Sequence, residues 1–159
     1  MARVVIVDAG PLIALAAVDR LALLQGLFTA LHITPSVRDE CLGKPGRDAD
    51  RIRDAIAAGW LAITRDKGDS PLLSPALGQG ESDSIRLAMQ APRDSLLILD
   101  DRLARRHAQA KGLQFIGTVR VLDLAEQRGL AGSAETIIRE MSASGYRISI
   151  DLPAHIRSQ

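Results

Sequence analysis

The sequence predicts an α/β domain with three α/β/α layers and a central, mainly parallel sheet. Two β-branched or leucine-rich runs, at residues 4–7 and 96–99, are apolar at every position, which is typical of strands covered by helices on both faces. Helical patterns alternate with these runs and with shorter strand candidates, which indicates βαβ crossovers. The length of 159 residues is that of one domain, so we expect residues 1–159 to form a single unit.

The first half of the chain is predicted to alternate short strands with helices. Proline is tolerated in the first turn of a helix, so Pro11 and Pro35 both mark helix starts, and Thr34 is a suitable cap for the second of them. The predicted elements are a strand at 4–7, a helix starting at Gly10 and Pro11, a short helix through Leu21, Leu24 and Phe28 that breaks near Gly26, a strand at 31–33, a helix from Pro35 to about Leu42, a helix through Ile52, Ala55 and Ile56 that ends at Gly59, and a strand at 60–63.

The second half is predicted to open with an irregular surface stretch at residues 64–80, which is rich in glycine and proline. The pattern of helix and strand then resumes. The predicted elements are a helix at about 81–90, a strand at 96–99, a helix at 102–111, a last parallel strand at 114–116, helices at 118–128 and 133–143, and an edge strand near 147–150.

Composition excludes several classes. A chain that is 47% hydrophobic with a net charge of +1 is neither disordered nor a polycation, so contact with nucleic acid would need a local basic patch. The single cysteine, Cys41, allows no internal disulfide and is expected to be buried. The apolar stretches are shorter than the roughly 18 residues of a membrane span, so we predict a cytoplasmic protein with no membrane contact.

Acidic residues directly follow two of the predicted buried strands. Asp8 comes after the first strand, and Asp100 and Asp101 come after the strand at 96–99. Sites in open parallel sheets form at the carboxyl ends of the strands, where these carboxylates would converge. Like charges at close range need a cation or a proton, and carboxylates without histidine or cysteine suit Mg²⁺ or Mn²⁺.

Further acids lie on predicted helices. Glu40 is late in its helix, where the helix dipole disfavours a negative charge, so a special role is plausible for it. Glu81 and Asp83 open the helix that follows Gly80, where acids are also stabilising without any further function. Asp101 is equally suited to capping the helix that starts at residue 102.

Four segments in series resemble the motifs of PIN-domain nucleases. A fifth resembles the helix start that follows the last strand of that family. The segments are Val7-Asp8-Ala9-Gly10-Pro11-Leu12-Ile13-Ala14-Leu15, Thr34-Pro35-Ser36-Val37 with Glu40, Gly80-Glu81-Ser82-Asp83-Ser84-Ile85 with Leu87-Ala88, Leu97-Ile98-Leu99-Asp100-Asp101-Arg102, and Gly117-Thr118-Val119-Arg120-Val121-Leu122. The resemblance spans residues 3–128 and is nearest to VapC-type toxin-like proteins whose third motif is Gly-Glu-x-Glu-x-Ile.

The resemblance implies a PIN-like fold and a set of metal-binding acids. Matched motif by motif, the catalytic and metal-binding residues are Asp8, Glu40, Asp83 and Asp101, with Glu81 and Asp100 as accessory candidates. The 18 positions between Asp83 and Asp101 match the family spacing and favour these two acids over their neighbours. The rival register, through Glu81 and Asp100, stays open.

Two departures from the family pattern bear on the metal site. Ala9 and Gly10 follow the first aspartate where many members carry a Thr or Ser hydroxyl, and Leu99 stands where many carry Thr. Both losses would remove hydrogen bonds that orient the acids.

The resemblance implies a metal-dependent endoribonuclease that hydrolyses RNA phosphodiester bonds with Mg²⁺ or Mn²⁺. It further implies the toxin of a toxin–antitoxin pair, with a cognate antitoxin protein as partner and a homodimeric assembly. The alternative is a catalytically weak PIN-fold protein that binds RNA or an antitoxin, which the missing hydroxyls favour. A phosphatase of the Asp-x-Asp type is disfavoured because Gly10 replaces its second aspartate, and no P-loop is present.

Two further features have a structural and a functional interpretation. Arg102, Arg105 and Arg106 follow the fourth motif, and we predict that they bind RNA, although a solvated helix face has the same composition. The leucines of the first two helices are numerous enough for either a core or a partner groove. Ser36, Ser82 and Ser84 are expected to be caps or surface residues rather than nucleophiles.

Overall fold

The structure is a computed structural model that describes residues 4–68 and 73–146. Its centre is a five-stranded sheet in which every neighbouring pair is parallel. The strand order is β3-β2-β1-β4-β5. The strands are β1 Val4–Val7, β2 Leu31–Ile33, β3 Leu61–Ile63, β4 Ser95–Ile98 and β5 Gln114–Ile116.

Eight helices lie between and after the strands of the described ranges. They cover both faces of the sheet and so complete the three-layer α/β class that the sequence predicts. Their bounds are α1 Ala9–Ala17, α2 Ala22–Leu27, α3 Pro35–Leu42, α4 Arg47–Ala57, α5 Gln79–Met89, α6 Arg102–Ala110, α7 Thr118–Gln127 and α8 Ala134–Ala143.

The sheet divides the apolar interior into two cores. Val5 and Val7 point into the larger core, which is filled by α1–α4, α7 and α8, and Ile6 points into the smaller one against α5 and α6. This alternation explains why β1 is apolar throughout, since a strand between two helical layers buries both of its faces. Cys41 is buried in the larger core, as expected.

The leucines of the first two helices belong to this core. Leu12, Leu15 and Leu24 are fully buried, and Leu23 and Leu27 are less than a tenth exposed. The core interpretation is therefore confirmed for these five side chains, and none of them forms an exposed partner groove.

Some boundaries differ from the sequence predictions. Gly26 does not break α2, which continues to Leu27, because the missing side chain allows close packing of Leu130. Helix α5 starts at Gln79, two residues before the predicted start, with Gly78 as its cap. The predicted edge strand at 147–150 lies outside the described residues.

The strand order places a topological switch point in the middle of the sheet. The chain runs from β1 to β2 on one side, whereas β4 lies on the other side of β1. All carboxyl ends meet at one edge because the strands are parallel. Ligands of open α/β sheets bind outside that edge, at the switch point. Asp8 follows β1 and Asp100 follows β4 at this position.

Candidate active site

Asp8 lies at the centre of this edge. It directly follows β1, and its backbone N–H donates to the Ile98 carbonyl of β4 over 2.9 Å, which fixes the two strand ends side by side. Asp8 is only 6% exposed. Its side chain does not cap α1, and its Oδ1 is buried with no hydrogen-bond partner. A buried polar atom without a partner is costly and points to a group that the site is built to receive.

The surroundings of Asp8 disfavour its charge. Burial raises the pKa of Asp8 from 3.8 to about 6 against an opposing hydrogen bond from the Ala9 N–H, and the nearby carboxylates of Glu40, Asp100 and Asp101 each add a smaller rise. A cation at this position would relieve both causes.

Glu40 reaches Asp8 through the crossing of α3 and α5. At the crossing point, a Cβ added to Gly80 would lie 3.1 Å from Glu40 Oε2, 3.2 Å from Val37 Cγ2 and 3.7 Å from Asp8 Oδ1. The two carboxylates thus face the same point of α5. Only a residue without a side chain leaves this space open, which is a reason for glycine that the sequence analysis missed.

Glu81 joins the same group from the first turn of α5. Burial raises the pKa of Glu81 to about 7, and Asp101, Asp8 and Glu40 contribute through their charges. A hydrogen bond between the Glu81 and Asp101 side chains acts in the same direction. Asp101 also caps α6, because its Oδ2 accepts from the Ala104 N–H over 2.9 Å. Capping and membership of the acidic group therefore coexist in one side chain.

Asp83 is held by two neighbouring polar side chains, and the choice between Glu81 and Asp83 as the principal acid stays a prediction. Asp83 Oδ2 accepts from Ser36 Oγ over 2.6 Å, and its Oδ1 accepts from Gln79 Nε2 over 2.8 Å. Positions 81 and 83 project from different sides of α5, since successive residues of a helix are about 100° apart. Of the two, Glu81 is the one that shares a hydrogen bond with another acid of the group, Asp101. The spacing of 18 residues between Asp83 and Asp101 does not show on which side of α5 each acid lies.

Asp100 receives the hydroxyl that the fourth motif lacks. Its Oδ2 accepts from Thr118 Oγ1 over 2.6 Å, and its Oδ1 accepts from the Thr118 N–H over 2.8 Å. Thr118 follows β5, the next strand of the sheet, and is fully buried. Both oxygens of Asp100 therefore accept from Thr118, although Leu99 offers no hydroxyl. The Gly117-Thr118 pair was recognised as a helix start only.

Arg105, one of the predicted RNA-binding residues, is engaged within the protein. Its Nε donates to the Leu99 carbonyl over 3.0 Å, and its guanidinium lies 3.7 Å from Asp100 Oδ1. The same group lies over the Phe115 ring, 5.6 Å from the centroid, and crosses the space above Gly117. Arg105 thus stabilises the segment that follows β4, through the Leu99 carbonyl and the Asp100 carboxylate. The side chains of Arg102 and Arg106 are exposed on α6 and remain predictions as RNA contacts.

The four acids that meet here suit a hard divalent cation. Asp8, Glu40, Glu81 and Asp101 offer only carboxylate oxygens, the donors that Mg²⁺ and Mn²⁺ prefer. Within residues 4–68 and 73–146, no three of the acidic, histidine or cysteine side chains are placed to coordinate one ion as they stand. The unpartnered Asp8 Oδ1 is the atom that fits such an ion best.

The fold and the site define a class of protein: a parallel α/β domain with a carboxylate cluster at the switch point of its sheet. A family model described as "DUF3368: PIN domain" matches residues 4–159, and the chain belongs to this family. A search of curated proteins finds no match.

One similar solved structure is a PilT N-terminus domain protein from the hyperthermophilic archaeon Sulfolobus solfataricus P2. The two share 16% identity with a TM-score of 0.52, over 77% of this chain and 92% of that one. At this identity the similarity concerns the fold alone. In the described part of the chain, none of the helices combines the length and the apolar character needed to cross a bilayer.

Proposed function

We propose that the protein is a metal-dependent endoribonuclease that hydrolyses phosphodiester bonds of RNA. PIN domains are generally nucleases and typically use divalent metals, and this chain is a PIN domain. The observation that carries the proposal is the buried Asp8 Oδ1, which has no partner and faces a group of further carboxylates at the switch point. A merely structural aspartate at this position would use its side chain to cap α1.

Each of the four acids has a separate part in this proposal. Asp8 supplies a buried oxygen without a partner, on a backbone that the bond to the Ile98 carbonyl holds beside β4. Glu40 and Glu81 close two sides of the site from α3 and α5. Asp101 holds the fourth side, and its bond to the Ala104 N–H keeps one oxygen fixed. A divalent cation bound among them would activate a water for attack and stabilise the charge of the scissile phosphate.

The test compares two neighbouring acids of α3. Glu40→Gln removes a member of the site, whereas Asp39→Asn removes an exposed carboxylate that pairs only with Arg38 at the surface. We expect Mn²⁺-dependent cleavage of a labelled RNA to fall at least a hundredfold in Glu40→Gln and to be unchanged in Asp39→Asn, as general losses of metal ligands suggest. Cleavage that persists in EDTA, or equal activity of the two variants, would refute the proposal.

The toxin role is the finer part of the proposal and rests on the resemblance to VapC-type proteins. It entails a cytoplasmic protein, a cognate antitoxin and a homodimer. Expression of the wild-type chain should arrest bacterial growth, and Glu40→Gln should relieve the arrest. If the wild-type chain cleaves RNA in vitro but does not affect growth, the toxin role is refuted and the nuclease activity is kept.

The alternative is a catalytically weak PIN-fold protein that binds RNA or an antitoxin. It was favoured by the missing hydroxyls of the first and fourth motifs. Thr118 supplies a hydroxyl to Asp100, an acid outside the proposed group of four. The nuclease is the better supported function because Asp8 Oδ1 is buried without a partner beside further carboxylates.

A further inference from the structure

A second polar site lies beside the carboxylate cluster on the same edge of the sheet. It is a cavity of about 180 Å³ lined by Thr34, Pro35, Arg65, Asp66 and Asp83. Thr34 follows β2, and Arg65 and Asp66 come shortly after β3. Because β2 and β3 are the strands next to β1, a nucleic acid strand that crosses the switch point can continue over this cavity.

The acidic wall of the cavity is held in place. Two donors, Ser36 and Gln79, each bond one oxygen of Asp83, which leaves one lone pair of each oxygen for a ligand. Asp66 lies 3.3 Å from Arg86 through Oδ2 and accepts from the Gly68 N–H through Oδ1, so its charge is already compensated. Asp83 is thus the preoriented acceptor of the site.

The opposite charge comes from Arg65. Within the described ranges, neither Arg65 nor Asp83 has an oppositely charged side chain within 4.0 Å, although both line the same cavity. The residues that line the cavity therefore include a carboxylate with free lone pairs and a guanidinium without a charged partner in the described ranges. A ligand that fits must present two adjacent donors and two adjacent acceptors.

Guanine is the RNA base with this arrangement. Its N1–H and N2–H₂ are adjacent donors that a carboxylate can accept, and its O6 and N7 are the acceptors that arginine binds in pairs. Adenine, cytosine and uracil each lack the pair of adjacent donors. A cavity of about 150 Å³ holds one benzene ring, so 180 Å³ is of the size for a base and not for a whole nucleotide.

The cavity lies one step from the proposed reaction site. Gly80 lies beside the Asp8 and Glu40 carboxylates. Asp83 is three residues further along α5, or about 5 Å along the helix axis. On α3, Ser36 bonds Asp83 while the next residue, Val37, packs at Gly80. A base in the cavity would therefore belong to a nucleotide beside the scissile phosphate.

We propose that this cavity binds a guanine base of the RNA and so determines where the strand is cut. Asp83 accepts from the N1 and N2 groups, and Arg65 donates to O6 and N7. The proposal rests on the nuclease function for its biological meaning, but its binding step can be measured without cleavage.

The binding test uses mononucleotides in EDTA. Calorimetry of the wild-type protein should show binding of GMP at least tenfold tighter than of AMP, CMP or UMP. IMP lacks only the N2 amino group and should bind more weakly than GMP. Asp83→Asn should remove this difference between GMP and IMP, and Arg65→Gln, at an exposed position, should weaken GMP binding without affecting the fold. Asp39→Asn is the control and should bind GMP like the wild type.

Two results would overturn the proposal: equal binding of the four mononucleotides, or a GMP–IMP difference that survives in Asp83→Asn. Cleavage of RNA in Mn²⁺ separates this failure from that of the nuclease. Cleavage without a guanine preference would refute the guanine site and keep the nuclease. Selective GMP binding that depends on Asp83, in a protein that cuts no RNA, would support the site and refute the nuclease.

Discussion

Replacing Asp8 by asparagine should stabilise the metal-free protein, which is unusual for a buried residue. A pKa raised from 3.8 to about 6 means that keeping Asp8 ionised costs about 3 kcal/mol of folding free energy above pH 6, at about 1.4 kcal/mol per unit. Asparagine has nearly the same shape and no charge. Burying the asparagine N–H₂, which loses its hydrogen bonds to water, costs about 1–2 kcal/mol. We therefore expect a net gain of about 1–2 kcal/mol.

The gain should depend on pH in a defined direction. The folded pKa of Asp8 is above the unfolded one, so the native state binds more protons between about pH 4 and pH 6. The contribution of this group to stability is present below pH 4 and is lost as the pH rises through 6. The advantage of Asp8→Asn should accordingly appear over this window and be constant above it.

Urea unfolding in EDTA at about pH 5 and about pH 7.5 measures this difference. Asp39→Asn serves as the control, because its exposed carboxylate should change stability by less than about 0.5 kcal/mol. A loss of stability for Asp8→Asn at the higher pH would refute the reasoning. So would a difference from the wild type that is the same at both pH values.

Substitutions of Thr118, Gly80 and Arg105 test single contacts of the site, with Thr118→Ser and Arg106→Gln as matched comparisons. Thr118→Val removes the hydroxyl that donates to Asp100 and should lower the free energy of unfolding in urea by about 1.5–3 kcal/mol. Thr118→Ser keeps a hydroxyl and should retain most of the wild-type stability. Gly80→Ala should reduce RNA cleavage with a change in stability under about 1 kcal/mol, since the new methyl displaces a carboxylate while alanine favours the helix; unchanged cleavage would contradict the close approach at this residue. Arg105→Gln should lower stability by about 1–3 kcal/mol without changing the salt dependence of RNA binding. Arg106→Gln should reduce the salt dependence of RNA binding without lowering stability. A change in salt dependence for Arg105→Gln without a loss of stability would indicate that Arg105 contacts RNA.

Much of the fold could be predicted because its signals are local. Apolar runs that end in aspartate identified β1 and β4, and proline at a first turn identified the start of α3. That β1 pairs with β4, which is distant in sequence, is known only from the structure. What sequence could not show was the start of α5, because Gly78 and Gly80 are typical of a loop and yet open a helix.

The site was predictable as a position and less so as a set of contacts. Asp8 was identified from its place at a strand end. The hydrogen bond between Glu81 and Asp101 joins residues from the starts of two different helices, and a sequence pattern cannot show such a contact. Thr118 lies 18 residues from the acid it bonds, and only the pairing of β4 with β5 brings them together.

The central claim is that one group of carboxylates at the switch point performs the cleavage of RNA. The most direct test is the single-turnover cleavage rate, in Mn²⁺, of Asp8→Asn, Asp101→Asn and the double variant. Residues that act as one unit lose activity together, so we expect each single variant to be inactive within detection and the double variant to lose little more. Asp8→Asn that cleaves RNA at the wild-type rate would contradict the claim.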